Sequence, residues 1–158
     1  RSPSMRADGV RRFAGTLTDG LRATLLRRPR SCTPGSGAGA FVAAVGFYLC
    51  TEALTSWIGS EAPRTLVGFG VITVLADSLL TLVAAWVLVR VLRRDGIVWD
   101  VAAIAVVATA FTAALVHTSL GMASAGTYHA GHVSTAIALE WLSLFWVIFV
   151  INAMARTL

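Results

Sequence analysis

The sequence predicts an all-α polytopic membrane protein, with four transmembrane helices in a bundle led by an N-terminal amphipathic interfacial helix. Three observations predict it. Hydrophobic residues make up 56% of the 158-residue chain and charged residues only 13%, well below the soluble norm of about 25%. Four stretches reach the roughly 20 apolar residues needed to cross hydrocarbon. The thirteen basic residues, all arginine, fall at the edges of those stretches. A mean hydropathy of +0.75 agrees.

Residues 1–37 read as a basic arm. Val10, Phe13, Leu17, Leu21 and Leu25 recur every three to four positions, flanked by Arg11, Arg12, Arg22, Arg27 and Arg28. That periodicity predicts a helix over about residues 8–28, capped by Asp8. Its apolar stripe would lie in the acyl boundary and its arginines among anionic headgroups. Docking of the stripe on a partner protein is the alternative. Pro29, Pro34 and Gly35 through Gly37 end the helix and form a hinge. The chain begins at Arg1, which suggests a missing or processed start, with Met5 as a candidate initiator. No secretory signal is expected, because the first apolar run starts near Ala38 and is too long for a signal core.

The transmembrane domain, residues 38–158, is expected to hold spans at about 38–59, 65–91, 98–122 and 132–155, leaving no room for a separate soluble domain. Pro63 marks the first turn. Arg93, Arg94, Asp95 and Gly96 mark the second. The small residues from Ala123 to Gly131 are expected to form the third loop. Arg27, Arg28 and Arg30 precede span one, Arg90, Arg93 and Arg94 follow span two, and Arg156 follows span four. By the positive-inside rule both termini and the middle loop lie in the cytoplasm, in a bacterial inner membrane or an organelle membrane. Trp57 and Trp99 suit the interface belts, whereas Trp141 and Trp146 lie deeper.

Lipid supplies no hydrophobic drive for helices to associate, so small residues and polar contacts must do it. Ala105, Thr109, Ala113 and His117 recur at intervals of four in span three and predict a helix-packing face. Gly39 with Ala43, and Ser134 with Ala138, repeat that spacing. Leu144, Phe145, Ile148 and Phe149 would face lipid or a neighbouring subunit.

Three acids fall inside spans. Asp77 sits mid-span, flanked by Thr73, Ser78 and Thr81. A charged aspartate at that depth costs about 2.5–3.5 kcal/mol on insertion scales, so it must face the bundle interior. The plain reading is a neutral acid bonded to a neighbouring helix; a proton-relay role is the sharper one. Glu52 and Glu140 lie toward the opposite end from the arginines, as do His117, His129 and His132. Histidine with carboxylate suits a transition metal or haem, although the spacing matches no specific metal motif. Ordinary loop and interface histidines are the simpler reading. Cys32 and Cys50 read as free thiols.

No Walker loop, dinucleotide fingerprint, GxSxG or HExxH is present, which leaves no enzyme class to assign. The layout resembles that of the bacterial Yip1-type integral membrane family. Leu25, Leu26, Arg27, Arg28, Pro29 and Arg30 are similar to that family's amphipathic lead. The run Arg94, Asp95, Gly96 through Trp99 and Asp100 is similar to its segment after a glycine-containing loop. The likeness covers the greater part of the chain, one span short of the family's usual layout. It implies a non-enzymatic, partner-binding membrane protein and carries over no site residue.

The expectation is therefore a non-catalytic membrane scaffold or accessory subunit. It would bind lipids and other membrane subunits, or itself, and neither nucleic acid nor a required cofactor. A redox, metal, haem or proton-handling subunit, and a small proton-coupled carrier on Asp77, are the alternatives.

Overall fold

In the computed structural model, which describes residues 3–27, 37–59 and 63–155, the described residues are helical with no strands. The elements run α1 Pro3–Thr24, α2 Gly37–Gly59, α3 Pro63–Val91, a 3₁₀ turn Asp95–Ile97, α4 Val98–Phe111, a π segment Thr112–His117, α5 Thr118–His129 and α6 Val133–Ala155. Thr112 and Thr118 keep right-handed helical dihedrals, so α4, the π segment and α5 form one continuous rod. Four helices are long and apolar enough to cross a membrane. The chain is an all-α polytopic bundle and an integral membrane protein.

The third rod is the mast of the bundle. Half of its apolar stretch is buried, against 17% or less for the other three. Its first half, α4, packs on α1, α2 and α3, while its second half, α5, pairs with α6. The core joins Ala40, Ala44 and Tyr48 of α2, Val74 of α3, and Ala103, Val106, Val107 and Ala110 of α4. A second cluster sets Ala85 and Val89 of α3 against Val101 and Ala102. Alanine at these contacts lets the backbones close to short range, which is where van der Waals attraction in lipid comes from.

The packing faces differ from those expected. Gly39, Ser134 and Ala138 are exposed, whereas Ala40, Ala44 and Ala136 are buried. The seats are displaced along α2 and α6, because identity at spacing four does not say which face meets a neighbour. Leu144, Phe145, Ile148 and Phe149 are exposed, consistent with a lipid-facing wall.

Two boundaries also differ. Asp8 lies inside α1 and caps nothing. The expected loop over residues 123–131 is helical through His129, held there by bonds from Ser124 to α6. The rod ends where Gly131 turns left-handed at φ +82, with His132 N–H donating to Thr127 O and Gly131 N–H to Tyr128 O. This is a Schellman closure. Leu26 and Arg93, also left-handed, close α1 and α3 the same way, through Arg27 N–H to Arg22 O and Arg94 N–H to Val89 O. Arg28, Cys32 and the Pro/Gly hinge lie outside the described residues.

The arm does not lie in lipid alone. Helix α1 docks on the chain's own bundle, through a face adjoining the apolar stripe. Gly20, Ala23 and Thr24 are buried against α4, and Leu17 packs on the core. Thr24 Oγ1 lies 3.1 Å from Ala108 O, and Trp146 Nε1 of α6 donates to Thr24 O at 3.0 Å. Arg11, Arg12, Leu25 and Arg27 are exposed, and Phe13, Leu21 and Arg22 half-buried. The contact is close enough that a Cβ on Gly20 would fall 2.7 Å from Val107 Cβ and 3.1 Å from Ala108 N. Gly15, by contrast, faces open space.

Gly20→Ala should therefore loosen the arm by about 1–3 kcal/mol, the usual cost of overpacking, and Gly15→Ala should not. Protease cleavage within residues 3–24 of the folded protein checks it: faster for the first variant, unchanged for the second.

Candidate functional site

Helices α3 and α6 share no packed face. Between them, floored by α4 and the π segment, runs a cleft of about 590 Å³. Its floor is Val101, Ile104, Ala105, Thr109, Thr112, Ala113 and His117. One wall is Asp77, Thr81, Ala84, Ala85 and Leu88 of α3; the other is Val147, Val150 and Ile151 of α6. Tyr48 of α2 closes the end beside Asp77. Size and lining are those of a ligand or partner site: mostly apolar, with a few placed polar groups.

The stripe Ala105, Thr109 and Ala113 thus lines a cleft, where the spacing had predicted a packed face within the bundle. Local bonding explains how threonines sit there. Thr109 Oγ1 donates to Ala105 O at 3.0 Å and Thr112 Oγ1 to Ala108 O at 2.7 Å. Their protons are used within the rod. The π segment begins at Thr112. Such segments insert an extra residue into the helical register and recur at functional sites. Here it brings Thr112 and Ala113 together onto the floor and still keeps His117 on it.

Asp77 is half-buried and faces this cleft, so the acid does turn to the bundle interior. Tyr48 Oη donates to Asp77 Oδ2 over a long 3.4 Å. Its neighbour Ser78 is buried, and Ser78 Oγ has no hydrogen-bond partner among the described residues. At the far end of the floor, His117 Nδ1 is hydrogen-bonded to Ser143 Oγ of α6.

The outer acids have separate surroundings. Glu52 is half-buried on α2 and lies beside Gly70 of α3, whose added Cβ would sit 3.6 Å from the Glu52 side chain. Glu140 is paired to Ser124: Ser124 Oγ lies 3.1 Å from Glu140 Oε1 and 3.2 Å from Ala136 O. These groups share a shallow groove between α5 and α6 with Tyr128, His129 and Trp141. Tyr128 and His129 meet edge to face, ring centres 6.2 Å apart.

The histidines do not come together. His117 belongs to the cleft, His129 to the outer groove, and His132 is exposed at the turn before α6. Among the described residues no three His, Cys, Asp or Glu side chains gather as a metal site. Cys50 is an exposed free thiol. Of the tryptophans, Trp146 anchors the arm, Trp99 packs on Phe41, and Trp141 is exposed beside Phe145.

Three partners escaped sequence reasoning. They are Tyr48, Ser143 and Ser124, the last falling in the expected loop from Ala123 to Gly131. Each acts across two helices, and no local spacing reports that. Comparison with known proteins finds no matching family model, no matching curated protein and no matching solved structure.

The Ser124 bond gives a direct test of the outer pair. Ser124→Ala should lower stability in detergent by about 0.5–1.5 kcal/mol, the net contribution of one hydrogen bond. Ser119→Ala, at an exposed position on the same helix, should leave it unchanged. Thermal unfolding of the two variants checks this.

Proposed function

We propose that the chain is a non-catalytic integral membrane scaffold or accessory subunit that receives a transmembrane helix of another membrane protein in the cleft between α3 and α6. The observation that carries this reading is the open small-residue floor. Ala105, Thr109 and Ala113 recur at intervals of four, the pattern that lets two helix backbones approach closely, and among the described residues no helix covers them fully. From Val101 to His117 the floor runs seventeen residues, about 24 Å at 1.5 Å per step. That is most of the roughly 30 Å hydrocarbon thickness. A flexible acyl chain gains little from a floor of small side chains; a rigid helix needs one.

The docked arm supports the same reading. It leaves Arg11, Arg12 and Arg27 exposed, where anionic headgroups would hold them. The arginine distribution supports a cytoplasmic side for both termini and for the turn at residues 92–97, in a bacterial inner membrane or an organelle membrane. The resemblance to the Yip1-type family, which rests on pattern, points to partner binding as well. A second reading, a small proton-coupled carrier, is favoured by Asp77 and His117 lining one cleft.

Filling the floor separates these from a passive bundle. In native membranes extracted with mild detergent, Ala105→Trp should cut the stoichiometric companion of the chain by about tenfold, equivalent to 1.4 kcal/mol. Ile148→Trp, on the exposed face of α6, should leave it in place. A companion retained by the cleft variant, or a wild-type chain that is monomeric and alone, would overturn the proposal.

A further inference from the structure

We infer that the helix seated in this cleft carries a basic side chain, arginine or lysine, at the depth of Asp77, and that the two form an intramembrane ion pair; the inference rests on the reading that the cleft seats a helix. The argument begins with charge. The cleft is lined by one carboxyl, that of Asp77, and by no arginine or lysine. The chain has no lysine at all. Arg90, on the same helix as Asp77, stands over the Trp86 ring, 5.3 Å from its centre, and does not line the cleft.

Apart from Thr81, the other polar side chains lining the cleft are already engaged. Thr109 and Thr112 donate to backbone carbonyls of their own rod. His117 is held by Ser143 of α6. Among the described residues only Tyr48 bonds to Asp77 from a neighbouring helix, over 3.4 Å, beyond the usual 2.5–3.0 Å of an O–H···O bond. A carboxylate accepts at about four lone-pair sites, so most of its capacity faces the cleft. Hydrocarbon cannot meet that capacity, and intramembrane acids pair with cations or line polar cavities for this reason. A helix that fits the small-residue floor brings its own side chains to the α3 wall. A guanidinium or ammonium there satisfies Asp77 and is satisfied by it, with charge-assisted hydrogen bonds.

The test uses the full chain reconstituted in zwitterionic vesicles with dye-labelled synthetic helices of about 20 Leu and Ala residues, carrying either arginine or leucine at the centre. Energy transfer between peptide and protein reads binding. The arginine peptide should bind at least about tenfold more tightly than the leucine peptide, the scale of a charge-assisted bond. Asp77→Asn should remove that preference without changing leucine-peptide binding, and Asp77→Glu should keep it. Equal binding of the two peptides to the wild type, or a preference that survives Asp77→Asn, overturns the ion pair. Ala105→Trp separates the two levels. If it abolishes binding of both peptides while arginine gives no advantage, the helix seat stands and the pairing falls. If it leaves both peptides bound, the seat itself falls.

Discussion

The close packing of α4 is the contact on which the rest of the bundle depends. In lipid, burying one apolar surface against another gains almost nothing over burying it against acyl chains. What holds helices together is short-range fit, and α4 supplies it through Ala102, Ala103, Val106, Val107 and Ala110 on two sides at once. Helix α2 approaches with Ala40 and Ala44, and α3 with Val74, Ala85 and Val89. The arm then approaches with Gly20 and Ala23. Because α2, the arm and α3 pack on α4 while α6 pairs with α5, a strip of the rod between α3 and α6 is left open.

That asymmetry creates the cleft. Helix α6 is tied to the rod at its outer half by Ser124 and Glu140, and near its other end by Trp146 to the arm. At Val147, Val150 and Ile151 it stands across the cleft from α3, and the small floor of the rod lies between them. The threonines there bond to their own backbone, so they add little polarity to the opening. Asp77 is the exception, a carboxyl on the α3 wall of an otherwise apolar opening.

Much of the architecture was legible from the sequence because hydropathy and length report directly on spans. Gly37–Gly59, Pro63–Val91 and Val133–Ala155 lie within two residues of the expected limits. The third rod runs on past residue 122 because small residues read as a loop when nothing is known of their neighbours. Ser124 is buried by α6, and that tertiary contact overrides the low helix propensity of the glycines around it. The stripe Ala105, Thr109 and Ala113 was legible as a surface for close approach, but not as one the chain leaves open. Whether a face is covered is a property of the other helices. The histidines failed for a related reason: nearness in sequence and at one end of a bundle does not make convergence, and each is turned by its own helix.

The rod from Val98 to His129 holds 32 residues, which rise about 48 Å against roughly 30 Å of hydrocarbon. Such a helix either projects from the bilayer or leans within it. Leaning carries α2, α3 and α6 along, because each is packed on some part of the rod. Bilayer thickness therefore sets the tilt of the bundle as a body, and with it the angle at which the cleft is presented to whatever lies beside it.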